Sequence, residues 1–232
     1  GFAVNEKGGG RMGEDSAVLY GKPLDADSFK ARVRGFGADL VGIADLDPFR
    51  EEQILPSDLL DPFTRAVSIA VRVPLAVFGT VTDRPSPLYA SVYSTVNRRL
   101  DEIALETAAL LQDRGYRALP VPASQILDRG SWRGALSHKA VARMAGLGWQ
   151  GKSLLLVTRE FGPRVRLVTV LTDAPLPADQ PVGNRCGGCT ACRDACPAEA
   201  IKGVPTASRY QRRDEALDFD RCREKLTEEF AA

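Results

Sequence analysis

One histidine stands among 232 residues, with two methionines, two tryptophans and five cysteines. His138 is thus the sole side chain here whose ordinary pKa lies near neutrality. Neither charge sign is in excess: 31 basic against 30 acidic residues leave +1. Such a balance gives no strong field to draw the chain to nucleic acid or to a membrane surface. No apolar run reaches membrane-spanning length. The opening "GFAVNEKGGGRMGED" has no apolar signal core and reads as a flexible lead-in over 1–24. No glycine fingerprint follows a strand, which argues against a direct nicotinamide site. The cysteines are few and crowded. Four of the five fall between Cys186 and Cys196, whereas a secreted disulfide scaffold would spread them. Clustered thiols point to metal in a reducing compartment, hence to the cytoplasm.

What is present reads as alternating helices and strands. Asp25 and Asp27 begin a helix carrying Phe29, Val33 and Phe36, and Gly35 and Gly37 end it. "LVGIA" follows as a buried strand, then "RAVSIAVRVP", rich in β-branched residues and stopped by Pro74. A long helix is expected from "RPSPLYASV" to Gly115, with Leu88, Val92, Val96, Leu100, Ile103, Leu110 and Leu111 on one face. "YRALPVPA" is a strand, and Ser137 caps a second helix, "SHKAVARMAG". "SLLLVT" and "VRLVTVLTD" read as two strands, arranged as a hairpin around "REFGPR". The proline-rich "APLPADQPVGN" is a linker, and the tail "DEALDFDRCREKLTEEF" reads as helical. There is no internal repeat. The pattern defines an α/β core over 25–177 and a small segment, 178–232, that needs metal to fold.

The chemistry is concentrated in "CGGCTACRDACP". Cys186, Cys189 and Cys192 stand two residues apart, Cys196 follows after three more, and Pro197 closes the run. This is the spacing of a bacterial iron–sulfur motif, in which the fourth cysteine of a two-cluster protein ligates the other cluster. Gly187 and Gly188 allow the tight turn. Zinc sites use separated pairs instead. Two readings of Cys196 and Cys222 remain open. In one, Cys196 and Cys222 are two corners of a second 4Fe-4S cluster and the carboxyl end is truncated. In the other, one cluster takes Cys196 or Cys222 as its fourth ligand. Cys222 also has the plainer reading of a buried free thiol.

Joined to "AGLGWQGKS", the following strand pair and "LTDAPL", the cysteine run resembles the epoxyqueuosine reductase family, relatives of the reductive dehalogenases. "GADLVGIADL", "RAVSIAVRVP", "YASVYSTVNRRL" and "RCREKLT" add weaker matches, so the resemblance covers most of 28–230. It implies a nitroreductase-like three-layer core, α/β in the broad α+β sense, beside a C-terminal ferredoxin-like module. It further implies electron flow from one 4Fe-4S cluster, or two in an intact chain, to a corrinoid (cobalamin) that acts on substrate. Gly146, Gly148, Trp149, Gly151, Lys152 and Ser153 would then form the corrinoid pocket, with Lys152 meeting a phosphate or propionamide. The electron donor would be of ferredoxin or flavodoxin type, and the substrate a small molecule or nucleoside.

One departure stands out. The family's proposed proton donor is an aspartate of an Asp-Thr pair just before "AGLGW", and here that stretch reads "SWRGALSHK", with Asp128 a few residues too early. His138 falls in the same stretch as a candidate proton donor, or as a structural histidine on a backbone carbonyl. Tyr89 and Tyr93, one helical turn apart, read as core rather than pocket. The leading expectation is an iron–sulfur oxidoreductase. An electron-transfer or cofactor-handling protein without its own substrate, and a flavin-binding reductase, are the alternatives.

Overall fold

The structure is a computed structural model that describes residues 24–50 and 52–230. Leu24 apart, the expected lead-in lies outside the described residues. A four-stranded sheet forms the centre, made of β1 (Leu40–Asp45), β2 (Arg65–Arg72), β3 (Ala118–Val121) and β6 (Val165–Thr172). Its order is β1-β2-β6-β3, and every pairing is antiparallel. The remaining strands, β4 (Trp149–Gln150) and β5 (Leu156–Val157), pair only with each other.

Alternation along the strands builds two cores. Val41, Ile43, Val67, Ile69, Val168 and Val170 face helices α1 (Ala26–Gly35) and α3 (Pro87–Gln112). Asp25 caps α1 through Ser28, and Ser86 caps α3 through Tyr89. Along α3 the expected stripe is buried at Val96, Leu100, Ile103 and Leu111, while Leu88 is exposed. The opposite face of the sheet carries Ala44, Ala66, Ala70, Leu167 and Leu171 and meets helix α4 (His138–Met144) and the 46–63 connection. The result is helix, sheet, helix in three layers. Small side chains on that second face let α4 sit close. Gly42 of β1 is the extreme case, since a Cβ there would lie 2.2 Å from the Ala145 carbonyl oxygen.

The hairpin expected from "SLLLVT" and "VRLVTVLTD" does not form. Lys152–Leu155 is a turn in which Leu154 takes a positive φ of 60°, and only Leu156 and Val157 are extended. They return onto Trp149 and Gln150, while β6 is already flanked by β2 and β3. The linker is held rather than loose. Asp179 accepts from Lys30 Nζ at 2.6 Å and from the Ile43 amide at 2.8 Å, and its own amide donates to Ile43 oxygen. The tail is helical only in short stretches, α6 (Phe219–Glu224) and a wider turn, Lys225–Glu229. A one-turn helix, α5 (Ala191–Asp194), sits inside the cysteine run. None of the described helices is long and apolar enough to cross a membrane.

Gly42→Ala is expected to destabilise the fold by about 1–3 kcal/mol, because the backbone of α4 must retreat from the sheet. Urea denaturation of the two proteins checks this.

Candidate functional site

The "AGLGWQGKS" segment does not offer its glycines to a ligand. At Gly148 a Cβ would lie 2.2 Å from the Val157 carbonyl oxygen, and at Gly151 it would lie 2.9 Å from Val157 Cγ2. Gly146, with φ +73°, has the Gln180 carbonyl oxygen 2.8 Å from that position. These glycines admit the protein's own chain. Trp149 is half-buried, and its indole N–H has no partner among the described residues.

The polar residues of the segment instead dock the cysteine loop. Lys152, 4% exposed, donates from Nζ to the carbonyls of Gly187 and Cys189, each at 2.9 Å. It is thus committed to the loop rather than to the phosphate or propionamide expected of it. The Gln150 carbonyl accepts from Asn184 at 2.8 Å, and Asn184 in turn accepts from the Cys186 amide at 2.9 Å. The Gln150 side chain accepts from the Tyr210 amide at 2.9 Å. Leu154 packs with Tyr210, Ala216 and Leu217 in a small core of its own. Ser153 is half-buried beside them in sequence and lines no cavity.

All five cysteines are free thiols. Among the described residues, no three His, Cys, Asp or Glu side chains converge as on a metal ion. The thiols nevertheless fall into two neighbourhoods. Burial, then Cys186 and Cys192, raise the pKa of the Tyr210 hydroxyl, which donates to the Val204 carbonyl. Burial, then Cys196, raise the Cys222 thiol, while Arg213 and Lys139 pull it down. Cys186 and Cys192 thus act electrostatically on Tyr210, and Cys196 on Cys222. The loop has space around it, since nothing stands within 4 Å of a Cβ built at Gly187 or Gly188. Free thiols in this spacing, with room beside the turn, fit an iron–sulfur cluster.

Tyr210 also forms part of the wall of a cleft of about 460 Å³. That cleft was not legible in advance, because its walls come from remote stretches: 132–140, Arg143, Gln150, 154–156, 163–167 and 209–213. Its charged groups are seven arginines and lysines against one acid, Glu52. Arg166 donates to Asn97 at 3.1 Å, to Tyr93 at 2.7 Å and to Ser124, and it lies over the Tyr93 ring at 4.0 Å. Tyr93 is thereby a polar support rather than plain core. Arg213 donates to the Ser131 carbonyl at 3.0 Å and covers Phe219 at 4.0 Å.

His138 lines the cleft, yet both ring nitrogens are engaged. A carbonyl only accepts, so Nε2 carries the proton and donates to Pro122 oxygen at 3.1 Å. Nδ1 then accepts from Thr169 Oγ1 at 2.8 Å. Burial is the main cause of a lowered pKa and outweighs the Pro122 bond that raises it; Arg166 lowers it further and Asp101 raises it. This arrangement matches the structural reading of His138 better than a proton donor. Asp128 is also unsuited. It accepts from the Ser131 hydroxyl and from the Gly130 amide at 2.9 Å, and these bonds lower its pKa and keep it ionised.

No protein-family model matches the chain. Among curated proteins, the epoxyqueuosine reductase of Vibrio cholerae is 33% identical over 165 residues, which is 66% of this chain and 42% of that protein. An epoxyqueuosine reductase crystallised with an epoxyqueuosine-modified tRNA stem loop shares the fold with a TM-score of 0.55 at 23% identity, covering 75% of this chain and 52% of that one. A reductive dehalogenase whose structure suggests a mechanism for B12-dependent dehalogenation gives 0.71 at 22% identity, covering 88% and 30%. The curated homologues are thus epoxyqueuosine reductases, and the neighbours in fold are epoxyqueuosine reductases and reductive dehalogenases, the kinship that the motifs implied. The chain spans about half the length of the curated relatives that it matches over most of its own.

His138 yields a pH test. The folded protein holds it neutral, while the unfolded chain takes up a proton near 6.5. Its contribution is therefore present above 6.5 and lost as pH falls below it, at up to about 1.4 kcal/mol per pH unit. His138→Gln is expected to flatten that fall in denaturation curves recorded from pH 7 to 5.

Proposed function

We propose that the chain is an iron–sulfur oxidoreductase whose cysteine loop delivers electrons to a substrate in the basic cleft. The observation that carries this reading is Gln150, a cleft residue whose side chain accepts from the Tyr210 amide of the same wall and whose carbonyl accepts from Asn184, the acceptor of the Cys186 amide. Lys152 and Gln150 fix the loop at that wall. Kinship with reductases supports the reaction class.

Cys186, Cys189 and Cys192 would hold one cluster, and Cys196 with Cys222 would belong to a second site. The electrostatic effect of Cys196 on Cys222 favours that division. When bound, such clusters supply single electrons at low potential. In this division the first cluster needs one ligand, and the second site two, besides the five cysteines of this sequence. The small C-terminal segment would then be a ferredoxin-like module beside a nitroreductase-like core.

The cleft also fits the rim of a corrinoid, which is ringed by amide oxygens and carries one phosphodiester. Arg143, Gln150 and Leu155 would hold it, in place of Lys152 and the glycines of the glycine-rich segment. A bound corrinoid would supply a redox-active cobalt. The substrate reading follows the relative crystallised with a modified tRNA stem loop, so a modified nucleoside in RNA joins small molecules as a candidate. The charge balance argued against nucleic acid, but a near-neutral total conceals a strongly basic cleft. Asp128 is not the proton donor in this reading. The protein works in the cytoplasm and takes electrons from a ferredoxin or flavodoxin.

Anaerobic reconstitution tests the ligand division. About four irons per chain are expected, with the electron paramagnetic resonance signal of a reduced cubane. Cys186→Ser is expected to abolish that signal and Cys222→Ser to leave it. Equal loss in both variants would show a single cluster that uses Cys222. A perturbed cob(II)alamin spectrum on adding protein is the expected sign of corrinoid binding, and an unperturbed one would remove the corrinoid from the scheme.

A further inference from the structure

The cleft wall carries four cations from three different stretches of chain: Arg133, Lys139, Arg166 and Arg213. Lys139 has its pKa lowered first by burial and then by Arg213 and Arg166, and Arg213 is lowered by burial and then by Arg133. Lys139 is an exposed residue that lines the cleft. Among the described residues, none of the four has a carboxylate within ion-pair distance. Elsewhere in the same wall, Arg209 is paired with Glu52, and Arg212 is paired with Asp214 at 2.9 Å.

The neutral bonds made by these cations aim them without neutralising them. Arg166 is held by Asn97, Tyr93 and Ser124, and Arg213 by a backbone carbonyl and an aromatic face. Arginine remains charged at any working pH, and a fixed guanidinium offers a fork of donors matched to phosphate oxygens. Like charges crowded together cost stability, so a fold that keeps them is selected for an anion that relieves them. The space, about 460 Å³, is that of a small ligand and not of an extended polymer.

From this geometry we infer a binding site for a compact, multiply charged phosphate group, of the diphosphate or phosphomonoester kind, carried by a small molecule. The site belongs to the cleft proposed above as the place of reaction. Phosphate binding needs neither cluster nor turnover, so failure of this inference and failure of the reductase reading are told apart.

Inorganic pyrophosphate is the probe, measured by calorimetry and by the shift in Tm on the full chain. Wild type is expected to bind it saturably, one per chain, more tightly than orthophosphate, and more weakly as salt is raised. Lys139→Gln is the decisive variant, because Lys139 makes no hydrogen bond or ion pair among the described residues. It should raise Tm in phosphate-free buffer by thinning the cluster. It should also weaken pyrophosphate by about tenfold, the loss of one charge-assisted hydrogen bond. Arg166→Gln should weaken it at least as much, and Arg114→Gln, far from the cleft in sequence and not part of its wall, should do nothing. Absence of saturable binding would overturn the inference. So would unchanged affinity in Lys139→Gln, or a lowered Tm in that variant without ligand. Tight binding of an RNA stem loop with none of pyrophosphate would overturn it in favour of a polymer-binding cleft.

Discussion

A single buried ammonium joins the two parts of this molecule. Lys152 is almost wholly removed from solvent, and its Nζ is spent on two carbonyls of the cysteine loop. A buried charge is costly unless it is hydrogen-bonded and balanced. The two carbonyls provide the bonds. One lysine thereby sets the distance between the thiols and the α/β core. Gln150 adds two more bonds on either side, to Asn184 and to Tyr210. The glycines between them let the strands close against their own backbone, so that the segment is stiff where the loop must be held.

This changes the meaning of the "AGLGWQGKS" stretch. Glycines beside a lysine suggest a phosphate cradle when seen in one dimension, and the same residues serve a dock when a loop 35 positions later folds onto them. Local signals were legible. Ser137 capping α4, the buried stripe of α3 and the β-branched strand β2 follow from nearest-neighbour chemistry. The spacing of the cysteines was legible for the same reason. The hairpin expected around "REFGPR" failed because β-propensity does not name a partner: β6 had two better ones, and Leu154 turned the chain away. The basic cleft was beyond reach. Arg133, Lys139, Arg166 and Arg213 share no period, and the net charge of +1 hides them among 30 acids.

The two functional elements are complementary. The cysteine loop is a place for anionic metal–sulfur groups, and the cleft beside it is a place for an anionic ligand. Tyr210 belongs to the cleft wall, with its amide fixed by Gln150 and its hydroxyl by Val204. Lys139 and Arg213 line the cleft, and both also pull down the pKa of Cys222. Charge in the cleft and charge at the thiols are thus coupled through a few side chains. Asp128, held ionised, Glu52, paired with Arg209, and His138, engaged at both nitrogens, separate this cleft from the proton-donor arrangement that the family resemblance implied.

The docking of the loop by Lys152 is the central claim, and iron and labile sulfide per chain measure it most directly. Wild type and Lys152→Met should be reconstituted anaerobically side by side, with circular dichroism as the check on the fold. The account predicts that Lys152→Met keeps its secondary structure and retains less than about half the iron of wild type after gel filtration, since a loop without its anchor gives up the cluster. Equal iron retention in the two proteins would contradict it and would make Lys152 a bystander to the iron–sulfur site.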